Sequence, residues 1–96
     1  MFARVSMFQG SPDRYDDAVR VINERAMPGA KQIPGLVAAY WALDRSSGKA
    51  VTFTVYDSEE SLKASEDVVR ELRDRSVAEA GAQVVSVETY EIVGQI

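Results

Sequence analysis

Residues Leu36–Tyr56 read LVAAYWALDRSSGKAVTFTVY, and this stretch decides the fold. Leu36 to Leu43 is an unbroken run of aliphatic and aromatic residues. Asp44-Arg45-Ser46-Ser47-Gly48-Lys49 is turn chemistry, and Ala50 to Tyr56 alternates β-branched and aromatic residues with small ones. Together they predict a β-hairpin.

Working outward, Phe2 to Gln9 is rich in strand formers and predicts a first strand. Gly10-Ser11-Pro12-Asp13 ends it and starts a helix, with Ser11 as N-cap, Pro12 at the first helical position and Asp13 facing the positive helix end. Tyr15, Ala18, Val19, Ile22 and Ala26 share one helical stripe, Asp16 can pair with Arg20, and Pro28-Gly29 predicts the stop. Downstream of the hairpin, Asp57-Ser58-Glu59-Glu60 starts a second helix, capped by Asp57 or Ser58. Its inner face carries Leu62, Ser65, Val69, Leu72 and Ser76. Glu59–Lys63, Glu66–Arg70 and Glu71–Arg75 form a solvated outer face, and Gly81 closes it. Val84 to Val93 predicts a fourth strand. The order β-α-β-β-α-β over residues 1–96 predicts one α+β domain of the ferredoxin-like type. Its four-stranded antiparallel sheet would carry both helices on one face.

Composition removes several chemistries. Fifteen acidic residues outnumber eleven basic ones, giving a net charge of −4, which argues against a nucleic-acid partner. There is no cysteine, hence no disulfide or thiolate chemistry, and no histidine, which removes the commonest general base and metal ligand. No run approaches the roughly 20 apolar residues that span a bilayer. No basic-then-apolar leader precedes the first strand, so a cytoplasmic location is expected.

With both helices on one face, the other face of the sheet is bare. A wet face calls for strands that alternate between apolar and polar. The second strand does not: Leu36, Ala38, Tyr40 and Ala42 point one way, Val37, Ala39, Trp41 and Leu43 the other. The first strand sets Phe2 and Phe8 against Ala3, Val5 and Met7. A patch of this size calls for cover, and a second copy of the same sheet supplies it. A homodimer through the sheet faces is therefore expected.

The chain resembles the dimeric α+β barrel superfamily, and within it the antibiotic-biosynthesis-monooxygenase-like branch. The resemblance runs along nearly the whole chain. It is carried by the Phe-Ala-Arg-Val-Ser start at residues 2–6, by Ile33-Pro34-Gly35-Leu36, and by the junction Val55-Tyr56-Asp57-Ser58-Glu59-Glu60. Members with known activity include cofactor-free oxygenases of phenolic polycycles and haem-degrading enzymes, and others have no assigned chemistry. The haem-degrading pattern needs an asparagine on strand one, a tryptophan at the junction and a histidine on helix two. None is present, since the junction aromatic is Tyr56.

Cofactor-free oxygenation asks for a dry pocket, hydrogen bonds to a phenolate and a proton relay. Such a pocket would lie between helices and sheet. Trp41 could stack on a ring and Tyr56, at the junction, could donate a hydrogen bond or relay a proton; these are the candidate catalytic residues. Arg4 could hold a phenolate or carboxylate, or instead form an ion pair across strands or across a dimer. Tyr40, Ser65 and Tyr90 complete the candidate substrate-binding set, although the hydroxyls of Ser65 and Ser76 could simply bond back to helix carbonyls. No metal site or cofactor is expected. Two functions lead, a cofactor-independent monooxygenase acting on a small aromatic or phenolic metabolite and a non-catalytic dimeric module that binds a small molecule, with isomerase-like or lyase chemistry and a purely structural role behind them.

Overall fold

The computed structural model describes residues 1–96. The strands are β1 (Phe2–Gln9), β2 (Leu36–Leu43), β3 (Lys49–Tyr56) and β4 (Gln83–Glu91). They form one sheet in the order β2-β3-β1-β4 with every neighbouring pair antiparallel. The helices lie on one face of it, so the ferredoxin-like α+β architecture read from the sequence is the one observed. Strand β4 ends at Glu91, two residues before the expected limit at Val93.

The first helical region is longer and less regular than its sequence suggests. A 3₁₀ turn (Pro12–Arg14) leads into α1 (Tyr15–Val21), a π-helical stretch (Ile22–Ala26) and α2 (Met27–Ala30). Pro28-Gly29 therefore does not stop the helix. The Met27 N–H bonds back five residues to Ile22, and Pro28 stands in the first turn of the segment that follows, where its missing N–H is not needed. Gly29 serves packing, because a Cβ there would lie 2.8 Å from Leu72. Ala18, Ile22 and Ala26 of the expected stripe face the covered layer, joined by Val21 and Ala30, and Val21, Ala26 and Ala30 are the buried ones. Ser11 makes no side-chain cap bond. Arg20 pairs with Glu24, not Asp16, which lies by Arg45.

The second helical region divides at Ser65 into α3 (Glu59–Ala64) and α4 (Glu66–Ala80). Ser58 is the cap, accepting from the Ser61 N–H at 3.1 Å, and the three expected acid–base pairs form. Gly35 joins the two halves. At φ +79°, with Ser61 Oγ 2.3 Å from where a Cβ would stand, no other residue fits the turn.

Cross-strand register sorts the two faces of the sheet. Phe2, Arg4, Ser6 and Phe8 of β1 stand beside Tyr56, Thr54, Thr52 and Ala50 of β3, on the side covered by helices. Ala3, Val5 and Met7 stand beside Val55, Phe53 and Val51 on the bare side. A register shift between Leu36 and Ala38 turns Leu36 to the helix side with Trp41 and Leu43. The sequence pattern alone groups Leu36 with Ala38 and Tyr40; the bulge makes the difference. The closed core is small, formed by Ala30, Ile33, Tyr56 and Leu62, with Phe2, Leu36, Trp41 and Val69 packed around it.

Candidate functional site

The closed core leaves part of the helix–sheet layer unfilled beside Ala30, Ile33 and Tyr56. A half-open cavity of about 130 Å³ runs between the helices and the covered face. Its walls are mainly apolar, with Phe8, Val21, Trp41 and Leu72 among them. Its polar groups come from Arg4, Ser6, Thr52, Thr54, Tyr56, Arg73 and Ser76. A wider polar cleft of about 600 Å³ lies over the uncovered part of β4, beside α3 and α4. Arg4 and Arg73 line both spaces and stand at their boundary.

Arg4 sits at the centre of a buried polar cluster and is only 5% exposed. Its Nη1 donates to the Tyr56 hydroxyl at 2.7 Å and to Ser65 Oγ at 3.1 Å, and its Nη2 donates to the Leu62 carbonyl at 3.1 Å. The guanidinium also lies 5.2 Å from the Tyr56 ring centroid. Thr54 Oγ1 is 3.2 Å from the Tyr56 hydroxyl. Thr54 Oγ1 is also 3.4 Å from the Arg4 carbonyl, so its one proton can go to either oxygen, and Tyr56 itself is fully buried.

Arg73 projects from α4 with its Nε buried and without a partner. Burial pushes its guanidinium below the ordinary arginine value; Arg4 and Arg70 act in the same direction, while Asp74 and Tyr56 oppose them. The lining of the cavity holds no carboxylate, and its titratable side chains are Arg4, Tyr56 and Arg73.

The structure brings Trp41, Tyr56, Arg4 and Ser65 to one side of the sheet. Trp41 and Tyr56 line the cavity, and Ser65 positions Arg4 from behind it. The hydroxyls of Ser65 and Ser76 do bond back to the helix, at 2.8 Å to the Leu62 and Leu72 carbonyls respectively, but Ser65 also accepts from Arg4. Tyr40 belongs elsewhere: strand alternation puts it opposite Trp41, 64% exposed on the bare face. Tyr90 stands at the rim of the polar cleft, its register on the bare face, with its hydroxyl donating to Glu88. Arg73 and Thr54 are additional members of the site. Arg73 was hidden in the charged run of α4, although it stands four residues after Val69 and so falls at the edge of the inner stripe.

No family model matches the chain. Among curated proteins it is 26% identical over 92 residues to an uncharacterized protein of Mycobacterium tuberculosis, Rv2557. That alignment takes in 96% of this chain and 41% of the relative, so the chain spans about two-fifths of the relative's length. Solved structures agree in fold. A Chloroflexus aurantiacus protein named for the antibiotic biosynthesis monooxygenases superposes with a TM-score of 0.69 at 20% identity, over 99% of this chain and 95% of its own. The ActVA-Orf6 monooxygenase of Streptomyces coelicolor, solved with the ligand nanaomycin D, gives 0.73 at 16% identity, over 99% and 89%. The chain has the fold of these monooxygenase-like proteins. At such identities the likeness is one of architecture, and chemistry has to be argued from the site.

No helix of the chain is long and apolar enough to cross a membrane.

Proposed function

We propose that this is a cofactor-independent monooxygenase-like protein that takes a small aromatic or phenolic molecule into the helix–sheet cavity. The observation that carries this reading is the Arg4–Tyr56 pair, hydrogen-bonded at 2.7 Å in the wall of an otherwise apolar, half-open cavity. With no carboxylate in the lining, the guanidiniums would favour the phenolate form of the substrate by charge alone. The phenolate passes an electron to dioxygen, the two fragments join at a ring carbon as a hydroperoxide, and loss of water leaves a quinone. The ring supplies all four electrons, one oxygen atom is retained as the new carbonyl and the other leaves as water. Tyr56 would donate its hydroxyl proton to the peroxide and Trp41 would form the ring's stacking wall.

The bare face fits the same reading. Val5, Met7, Val51, Phe53 and Tyr40 share it, and pairing with a second copy would cover them. The resulting protein is a homodimer with one site per chain.

Oxygen uptake with single-ring and two-ring phenols tests the reaction. Tyr56→Phe and Trp41→Phe should each lower turnover at least tenfold, and full turnover in both would remove the site assignment. The absence of a general base in the cavity favours a second reading, a module that binds the same ligand without converting it. Saturable binding with no oxygen uptake would establish that alternative.

A further inference from the structure

Resting on the reading of the helix–sheet cavity as a small-molecule site, we infer that its ligand is a single-ring aromatic acid. Its anionic group is held between Arg4 and Arg73, where the cavity meets the polar cleft.

The charge census of the chain carries this inference. Of the eight arginines, Arg14, Arg20, Arg25, Arg45, Arg70 and Arg75 each lie within 4 Å of a carboxylate. The two without such a partner are Arg4 and Arg73, the same two that line the cavity. Taking a charge out of water without a counter-ion is unfavourable, so folded chains tend to pair such groups; Arg4 is buried and Arg73 partly so. The three hydrogen bonds of Arg4 go to neutral acceptors, which orient the guanidinium and leave its charge intact. Arg73 retains an unused buried donor. An anion between the two would relieve their mutual repulsion and supply the missing acceptor, and a guanidinium fork matches a planar carboxylate. The acidic groups of the cleft are differently engaged. Glu59 and Glu66 face Lys63 and Arg70, and Glu91 lies exposed on the edge strand.

Size sets the rest of the ligand. A cavity of about 130 Å³ is comparable to the roughly 150 Å³ engineered apolar cavity that admits benzene. One ring fits against Trp41, Phe8 and Leu72, and the hydroxyls of Ser6, Thr52 and Thr54 could meet a ring substituent.

Titration calorimetry with benzoate and its neutral analogue benzamide, followed in parallel by Trp41 fluorescence, tests the inference. Benzoate should bind at least tenfold more tightly. Arg73→Gln should erase that preference while leaving benzamide within twofold, whereas Arg75→Gln on the outer face should change neither. Wild-type protein alone already decides the matter, so a folding defect in a variant does not shelter the proposal. Equal affinity for the two probes, no saturable benzoate binding at millimolar concentration, or equal loss of both probes in Arg73→Gln would overturn it. Benzoate preference without oxygen uptake on any phenol would sink the monooxygenase reading and keep this one. Oxygen uptake without benzoate preference would do the reverse.

Discussion

The two faces of the sheet are assigned against the usual expectation. Among apolar residues such as Phe2, Phe8 and Trp41 the covered face carries Arg4, Ser6, Thr52 and Thr54, while the face open to solvent carries Val5, Met7, Val51 and Phe53 with Ser86 and Glu88 at its β4 edge. Burial by helices normally selects apolar side chains, and exposure tolerates polar ones. The inversion separates two jobs. A face meant only to hold the helices would be packed solid with aliphatic residues; this one is hollow and keeps buried hydrogen-bonding groups. A face meant for water would be polar; this one is largely apolar along β1 and β3. The covered side therefore suits a ligand, and the bare side suits a partner.

Two adjacent residues sharpen the contrast most strongly. Trp41 packs against the closed core from the covered face, and Tyr40 points to the bare face. Trp41→Ala should lower the free energy of unfolding by about 3 kcal/mol in urea titrations, with the oligomeric state unchanged. Tyr40→Ala should do the opposite, raising the dimer dissociation constant about tenfold with little change in the unfolding of the chain itself. Similar unfolding losses in both variants would break the division of the faces.

A smaller effect is expected at Arg73, which is partly buried, with its Nε unpartnered, and has no ion pair. Arg73→Leu should raise stability by about 1 kcal/mol, the usual gain from relieving a functionally retained strain, and should abolish the preference for benzoate. A loss of stability would mean that Arg73 is structural.

The smallest effect lies away from both faces. Asp44 in the hairpin turn is held below the ordinary carboxylate range by the Ser47 hydroxyl and the Ser46 N–H, and Glu79 by its hydrogen bond from Arg25. A carboxyl whose value is depressed by folding contributes stability above its unfolded value and loses it as pH falls through the folded one. The melting temperature should therefore drift downward on acidification below about pH 4, and Asp44→Asn should flatten part of that slope. An unchanged slope in the variant would show that the turn carboxylate is not responsible.

Much of this architecture was legible in the sequence because its signals are local. The turn residues 44–49, the Ser58 cap and the acid–base pairs of the second helix each act within a few positions. What escaped depends on register. Nothing between Ile22 and Ala26 announces a π-helical turn, and the buried Val21 and Ala30 on either side of it lie outside the expected stripe. The bulge after Leu36 likewise reverses one side chain, and Gly35 beside it reads in the sequence only as the turn before the strand. At the site, Arg4 stood out as a lone charge among apolar strand residues. Arg73 did not, because its neighbours Arg70, Asp74 and Arg75 disguise it as part of a solvated face. Tyr56 was found through a resemblance, and only the structure shows that Arg4 donates to its hydroxyl.

Native mass spectrometry of the wild-type protein beside Phe53→Glu tests the assignment of the two faces most directly. The account predicts a wild-type species of twice the 10.6 kDa chain mass and a monomer for the variant, whose glutamate would be buried opposite its own copy. A wild-type monomer, or a variant as dimeric as the wild type, would contradict it.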